Sequence, residues 1–194
     1  RSHFMNHERQ TDNSRPTLSV ILAVLNEGRY LRSVVQSLLE QQTGTGDSAF
    51  NLEILVVDGM STDDSRAIVT EMSAADPRVR LVSNKLRKTP YAFNLGLREA
   101  SGEYVAILGA HTYYQPDYLL VCLSELRKHE AVGCSGRILS EPANNSLPAR
   151  IASWVSGHRF GTSGNSFRTT PEGYADSIGY PIFRKQPLLD LGGY

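Results

Sequence analysis

The run Thr17 to Leu25, TLSVILAVL, limits most strongly what this chain can fold into. Apart from Ser19 and Ala23 its residues are β-branched or leucine, which is too apolar for a strand with one wet face. It reads as a strand buried on both sides, and such strands lie inside parallel sheets with helices packed on both faces. The sequence supplies a helix at once. After Asn26-Glu27-Gly28, apolar residues recur at Leu31, Val34, Val35, Leu38 and Leu39, one stripe along about three turns.

The alternation continues. Residues 43–48, TGTGDS, form a surface loop by composition, and Leu52 to Val57 is a second strand ending in Asp58-Gly59. Ser61 and Asp64 have the spacing of a capping box, with Ile68, Met72 and Ala75 on one face of the helix behind them. A short strand, Val79 to Ser83, leads through a basic loop, Lys85 to Lys88, into a third helix with Pro90 in its first turn. Tyr104 to Leu108 is the next strand, and Asp117 to about Glu130 the next helix. Farther on, the pattern predicts a strand over Val132 to Ile138, a helix over Pro148 to Ser156, a strand over Tyr174 to Phe183 broken at Gly179, and a helical turn over Gln186 to Leu191. Such an order implies an open, mostly parallel sheet whose ligands bind at the carboxyl ends of the strands. Three loops lie there: 26–28, 58–63 and 109–115.

At 194 residues and 40% apolar content the chain suits one domain. Twenty basic and 20 acidic side chains give zero formal charge, so no basic field exists to hold nucleic acid or an anionic membrane. Cys122 and Cys134, without a CxxC or a histidine at ligand spacing, read as buried thiols in a reducing compartment. No apolar run approaches the roughly 20 residues of a membrane helix, so the chain as given reads as soluble. Arg1 to Arg15 read as a disordered or tag-derived stretch, and residues 16–194 as the domain.

No G-x-G-x-x-G follows the first strand, and the P-loop, G-x-S-x-G and H-E-x-x-H patterns are also missing, which argues against dehydrogenase, P-loop, serine-hydrolase and zincin chemistry. The motifs present are SVILAVLNE, EILVVDGMSTDDS and KTPYAFNLGLREASGEYVAILGAHTYYQPDYL. Together they resemble the inverting glycosyltransferases of family 2, whose GT-A fold is a Rossmann-like α/β three-layer sandwich around a mostly parallel sheet. The later RFGTSGNSFR, GYADSIGYPIFRK and LGGY are similar to the succinoglycan-biosynthesis branch, which builds exopolysaccharide from nucleotide sugars. The likeness runs from Thr17 almost to the end of the chain.

That resemblance implies a donor site. Ala23, Leu25 and Glu27 match positions that edge the nucleoside pocket, and Asp58 matches the aspartate beside uracil and ribose. A strand-end carboxylate accepts strong hydrogen bonds from such groups, but an aspartate there also serves as a helix cap. Lys88 and Asn94 match the region that meets the diphosphate and orders the nucleotide loop, Lys88 being otherwise a solvated lysine at a helix start. The family carries Asp-x-Asp, or in this branch Asp-Ala-His, where this chain has Gly109-Ala110-His111. The missing carboxylate puts the expected Mg²⁺ or Mn²⁺ in question; His111 is either one ligand of that ion or a polar loop residue. FGTSGNSFR, with Arg168, would face the acceptor or the leaving group, or be a loop without a role. Trp154, Tyr113 and Tyr114 either stack on sugars or pack.

Inverting transfer needs a carboxylate base for the acceptor hydroxyl and positive charge for the leaving diphosphate. The resemblance places the base beyond Tyr194, with Asp176 as the nearest stand-in, so the expected domain is incomplete at its C-terminus and transfers poorly alone. The expected partners are a uridine diphosphate sugar and a growing exopolysaccharide or lipid-linked glycan. The expected location is the cytoplasm, at the membrane face if the missing segment provides an anchor. A non-catalytic nucleotide-sugar-binding domain and a scaffold of a polysaccharide-assembly complex are the alternatives.

Overall fold

The computed structural model describes residues 14–142, 144–158, 166–169, 172–175 and 177–194. Six strands make one sheet in the order β3-β2-β1-β4-β6-β5. The first, β1 (Thr17–Val24), is parallel to β2 (Asn51–Asp58) on one side and to β4 (Tyr104–Leu108) on the other, and β3 (Val79–Ser83) continues the parallel half beyond β2. The apolar run thus sits where its composition requires, with hydrogen-bonding partners on both edges and helices on both faces. Leu18, Val20 and Leu22 point into one layer, where α1 (Gly28–Leu39), α2 (Ser65–Ala75) and α4 (Tyr118–Lys128) pack. Ile21 points the other way, against α3 (Thr89–Glu99), with Leu188 of α6 (Lys185–Asp190) at the margin of that layer. The expected mostly parallel three-layer sandwich is the observed one.

In α3, Gly96 meets Ile21 directly: a Cβ at Gly96 would lie 2.5 Å from Cγ2 of Ile21. Glycine costs a helix interior about 1 kcal/mol relative to alanine, and here it allows α3 to approach β1 closely. Pro90 occupies the first turn of that helix as expected.

The last two strands are shorter than their sequence suggests. The segment expected as a strand over 132–138 contributes only β5 (Gly133–Cys134), and that expected over 174–183 contributes only β6 (Ile182–Arg184). Both are antiparallel to their neighbours. The Pro181 carbonyl still accepts from the Ile107 amide at 2.9 Å, but Pro181 has no amide hydrogen to donate and Tyr180 takes φ 54°, so the ladder ends there. The capping expectation also fails. Helix α2 begins with Asp64 as its N-cap and makes no side-chain cap bond there, while Ser61 serves another loop. Between β5 and β6 lies α5 (Leu147–Ser156), capped by Ser146, whose hydroxyl accepts from the amide of Ala149.

Cys122 is buried and Cys134 half-buried. They are neighbours; a hydrogen bond with Cys134, together with burial, pushes the Cys122 thiol above its ordinary range.

At the amino ends of the strands one carboxylate joins four elements. Glu53 accepts from the Ser19 hydroxyl at 2.5 Å, the Ser101 amide at 2.9 Å and the Arg80 guanidinium at 2.6 Å. Burial pushes this carboxyl up, but the hydrogen bonds outweigh burial and hold it below the usual carboxylate range. A folded pKa below the unfolded one stabilises the fold above the unfolded value, and the benefit disappears as pH falls through the folded one. Glu53→Gln is therefore expected to lower stability by about 2 kcal/mol at neutral pH. In urea unfolding the gap to the parent should hold constant down to about pH 5 and close in more acid solution; a gap that does not change with pH would show that the charge is immaterial.

Candidate functional site

Chain direction selects the place to look. From β1 the chain winds outward through β2 and β3, then returns through α3 to the opposite side of β1 as β4. Strand order therefore reverses between β1 and β4, and ligands of open α/β sheets bind where that happens, at the carboxyl ends. The two loops at this point carry Asn26-Glu27 and Gly109-Ala110-His111. They meet: Nε2 of His111 lies 2.8 Å from Oε1 of Glu27, and the ring of Tyr30 stands edge-on to the imidazole at 5.0 Å. A carboxylate only accepts, so Nε2 is the donor of this bond.

The β1 loop is shaped by its neighbour after β2. Asn26 takes a left-handed conformation, φ 57°, tolerated by asparagine. Its amide donates to the Ser61 hydroxyl, and its side-chain oxygen accepts from the Thr62 amide. The amide of Glu27 donates to Ser65, and that of Gly28, the first residue of α1, to Asp63. Hydrogen bonds from the Ser65 hydroxyl and the Gly28 amide hold the Asp63 carboxyl below the usual range. Four bonds thus fix Glu27 in place before any ligand arrives.

Asp58 is buried, and its carboxylate accepts from the amides of Met60 and Ser61 and from Arg66 at 2.5 Å. It secures the turn that carries Ser61. These bonds lie within the 58–61 turn, before the α2 N-cap at Asp64, so Asp58 does not cap that helix. Arg66, in the first turn of the following helix, had no motif to mark it.

Beyond β3, Asn84 donates from its amide to the Asp58 carbonyl and from its side chain to the carbonyl of Lys88. This anchors the basic loop 85–88 to the end of β2 with Lys88 exposed. Asn84 is the residue that fastens this loop in the structure. Asn94 engages Tyr194 instead, donating to its carbonyl and accepting from its amide, each at 2.7 Å.

Ala23 is half-buried on β1, Leu25 is exposed directly after it, and Ala110 is buried. Tyr114 is a core residue whose hydroxyl donates to the carbonyl of Gly109 and accepts from its amide; burial pushes this phenol up, so it stays protonated. Tyr113 is exposed, and Trp154 stacks on His158. Arg168 lies elsewhere, in a cleft beside α5 whose lining includes none of the strand-end residues. Asp176 and residues 160–165 of the FGTSGNSFR stretch lie outside the described residues.

The expected cation can now be tested against its surroundings. A hard divalent ion takes carboxylate oxygens, often one or two together with phosphates. Residue 109 offers none, and its side-chain space is filled: a Cβ there would sit 2.7 Å from Cε1 of Tyr180 and 3.1 Å from the hydroxyl of Tyr180. His111 and Glu27 are bound to each other, and among the described residues no three His, Cys, Asp or Glu side chains group as a metal site. Among the described residues, position 109 supplies no carboxylate where the resemblance expects one, and His111 holds Glu27 through Nε2.

Gly109→Ala is expected to destabilise the fold by about 1–3 kcal/mol through overpacking. Tyr180→Ala in the same chain should recover most of that loss, a coupling of at least about 1 kcal/mol in a double-mutant cycle. Additivity within about 0.5 kcal/mol would mean that the two residues do not touch.

Known proteins agree with this architecture. The profile of Glycosyl transferase family 2 matches residues 19–192. A dolichyl N-acetyl-alpha-D-glucosaminyl phosphate 3-beta-D-2,3-diacetamido-2,3-dideoxy-beta-D-glucuronosyltransferase of Methanococcus voltae is 28% identical over 173 residues, covering 86% of this chain and 52% of its own length. The succinoglycan biosynthesis protein ExoA of Rhizobium meliloti (strain 1021) is 24% identical over 179 residues, 90% of this chain and 52% of its own. Among solved structures, the mannosyltransferase PcManGT from Pyrobaculum calidifontis, in complex with GDP-Man and Mn²⁺, superposes with a TM-score of 0.64 at 23% identity, covering 93% of this chain and 48% of that one. S. aureus TarS in complex with UDP-GlcNAc gives 0.57 at 20% identity, covering 91% and 47%. At such identities the superpositions establish the fold. The chain spans about half the length of these two curated relatives. With the family profile extending from β1 past α6, the chain belongs to glycosyl transferase family 2.

Proposed function

We propose that this domain binds a uridine diphosphate sugar at the carboxyl ends of β1 and β4, and that the protein it belongs to transfers the sugar with inversion. The observation that carries the reading is the Glu27–His111 pair, joined across the point where strand order reverses. TarS in complex with UDP-GlcNAc and PcManGT with GDP-Man supply the analogy for the donor class, and the likeness to ExoA supports a growing exopolysaccharide or lipid-linked glycan as acceptor. The setting we propose is the cytoplasm, at the membrane face.

In the transfer, an acceptor hydroxyl oxygen attacks the anomeric carbon as the bond to the diphosphate oxygen breaks and its electron pair leaves with the nucleotide. The acceptor proton passes to a carboxylate base. The chain's own contribution is binding and orientation. Glu27, held by the 61–65 loop and by His111, presents its second carboxylate oxygen to a nucleoside hydroxyl or N–H. The loop 85–88, fastened by Asn84, brings Lys85, Arg87 and Lys88 to the same end of the sheet, where cations offset diphosphate charge. The residues present give no support for routing this charge through a bound cation.

A second reading is favoured by Gly109: a domain that holds nucleotide sugar without transferring it, because its metal-ligand position is glycine covered by Tyr180. Calorimetric titration with uridine diphosphate, run with and without Mn²⁺, tests what both readings share. Binding is expected in both conditions, and Glu27→Ala or His111→Ala should each weaken it about tenfold while leaving thermal stability near that of the parent. No heat with uridine or guanosine diphosphate would remove both readings. Binding of nucleotide without release of sugar from a labelled donor would select the second.

A further inference from the structure

Helix α5 is amphipathic, yet none of its residues is buried. Leu147, Ile151 and Trp154 follow one another at helical spacing along a single stripe and are 67%, 51% and 64% exposed. Leu139 faces solvent beside them, across an open cleft of about 660 Å³ that runs between α5 and the segment after β5. Single exposed apolar residues are ordinary, but a stripe of this kind marks a surface that something covers.

The charges around the cleft say what covers it. Arg137, Arg150 and Arg168 line it, and among the described residues no Asp or Glu does. Two of these arginines are held in place: Arg168 donates to the Ser140 hydroxyl at 2.6 Å, and Nε of Arg137 donates to the carbonyl of Arg168 at 3.2 Å. The zero net charge of the chain hides this local excess. Arginines beside exposed leucine, isoleucine and tryptophan match the boundary between lipid phosphates and acyl chains, where tryptophan is also at home.

We propose that the α5 face docks on an anionic phospholipid bilayer. Leu147, Ile151 and Trp154 enter the interface, and the three arginines meet lipid phosphates. Ten residues of helix reach about 15 Å, half of a hydrocarbon core, so α5 lies in the plane of the surface and does not cross it. The sequence-level expectation that no basic field holds an anionic membrane is replaced here by a local one. The inference does not rest on the donor site.

Trp154 is the single tryptophan of the chain, so its fluorescence reports this surface alone. The chain is titrated with vesicles of phosphatidylcholine containing one-quarter phosphatidylglycerol, and with phosphatidylcholine vesicles. Sedimentation with the anionic vesicles and a shift of emission to shorter wavelength are expected. Arg150→Ala should weaken binding about fivefold, and Ile151→Glu should abolish it, with the melting temperature and uridine diphosphate titration of the parent retained. Three results overturn the proposal: no sedimentation with the anionic vesicles, equal binding to the neutral ones, or binding indifferent to Ile151→Glu. Self-association in vesicle-free solution that Ile151→Glu abolishes would likewise overturn it and give the face to a second copy of the chain.

Discussion

The fold depends on β1 having no free edge and no wet face. Parallel pairing with β2 along the whole strand and with β4 over Leu18–Leu22 takes most of its backbone donors and acceptors out of solvent, and apolar layers close over it above and below. A strand in that position forces the chain to leave on one side and return on the other. The gap between the two departures is the one place where loops can part without breaking the sheet, and Glu27 and His111 are found there. The ligand end of this domain is thus a geometric result of where its most apolar strand can be stored.

Composition alone does not explain the rigidity of that end. The loop after β1 is held by the loop after β2 through Asn26, Ser61, Asp63 and Ser65, and that second loop is in turn secured by Asp58 and Arg66. Asp58 acts on the site indirectly. Its burial and its ion pair with Arg66 make it the footing of a turn, and the turn positions Glu27 by way of hydroxyl groups. Such support keeps polar side chains in a productive geometry at no cost of rearrangement when a ligand arrives.

Much of this was legible in the sequence because it is written in local periodicity. The apolar runs marked β1 to β4, the stripes marked α1 and α2, and Pro90 marked the start of α3, within one or two residues at most ends. Interactions that join distant positions were not legible. Ser61 and Asp64 match a local capping pattern, but the partner of Ser61 is Asn26, 35 residues away. Gly109 read as a missing ligand; that Tyr180 fills its space depends on a left-handed residue before a proline 71 positions later, which no periodicity announces. Asn94 matched a family position, whereas its bonds run 100 residues along the chain to Tyr194. The short β5 and β6 were overestimated because apolar content does not reveal how few ladder bonds a partner strand can offer.

Glu53 and Glu27 lie at opposite poles of the same sheet, about 16 Å of strand apart or more. One knits four elements at the base, and the other faces whatever enters at the rim. Foundation and recognition therefore draw on separate groups of atoms. Mutational drift at the rim can retune which molecule is accepted while the base keeps the architecture standing, so a scaffold of this kind can diversify widely before it collapses.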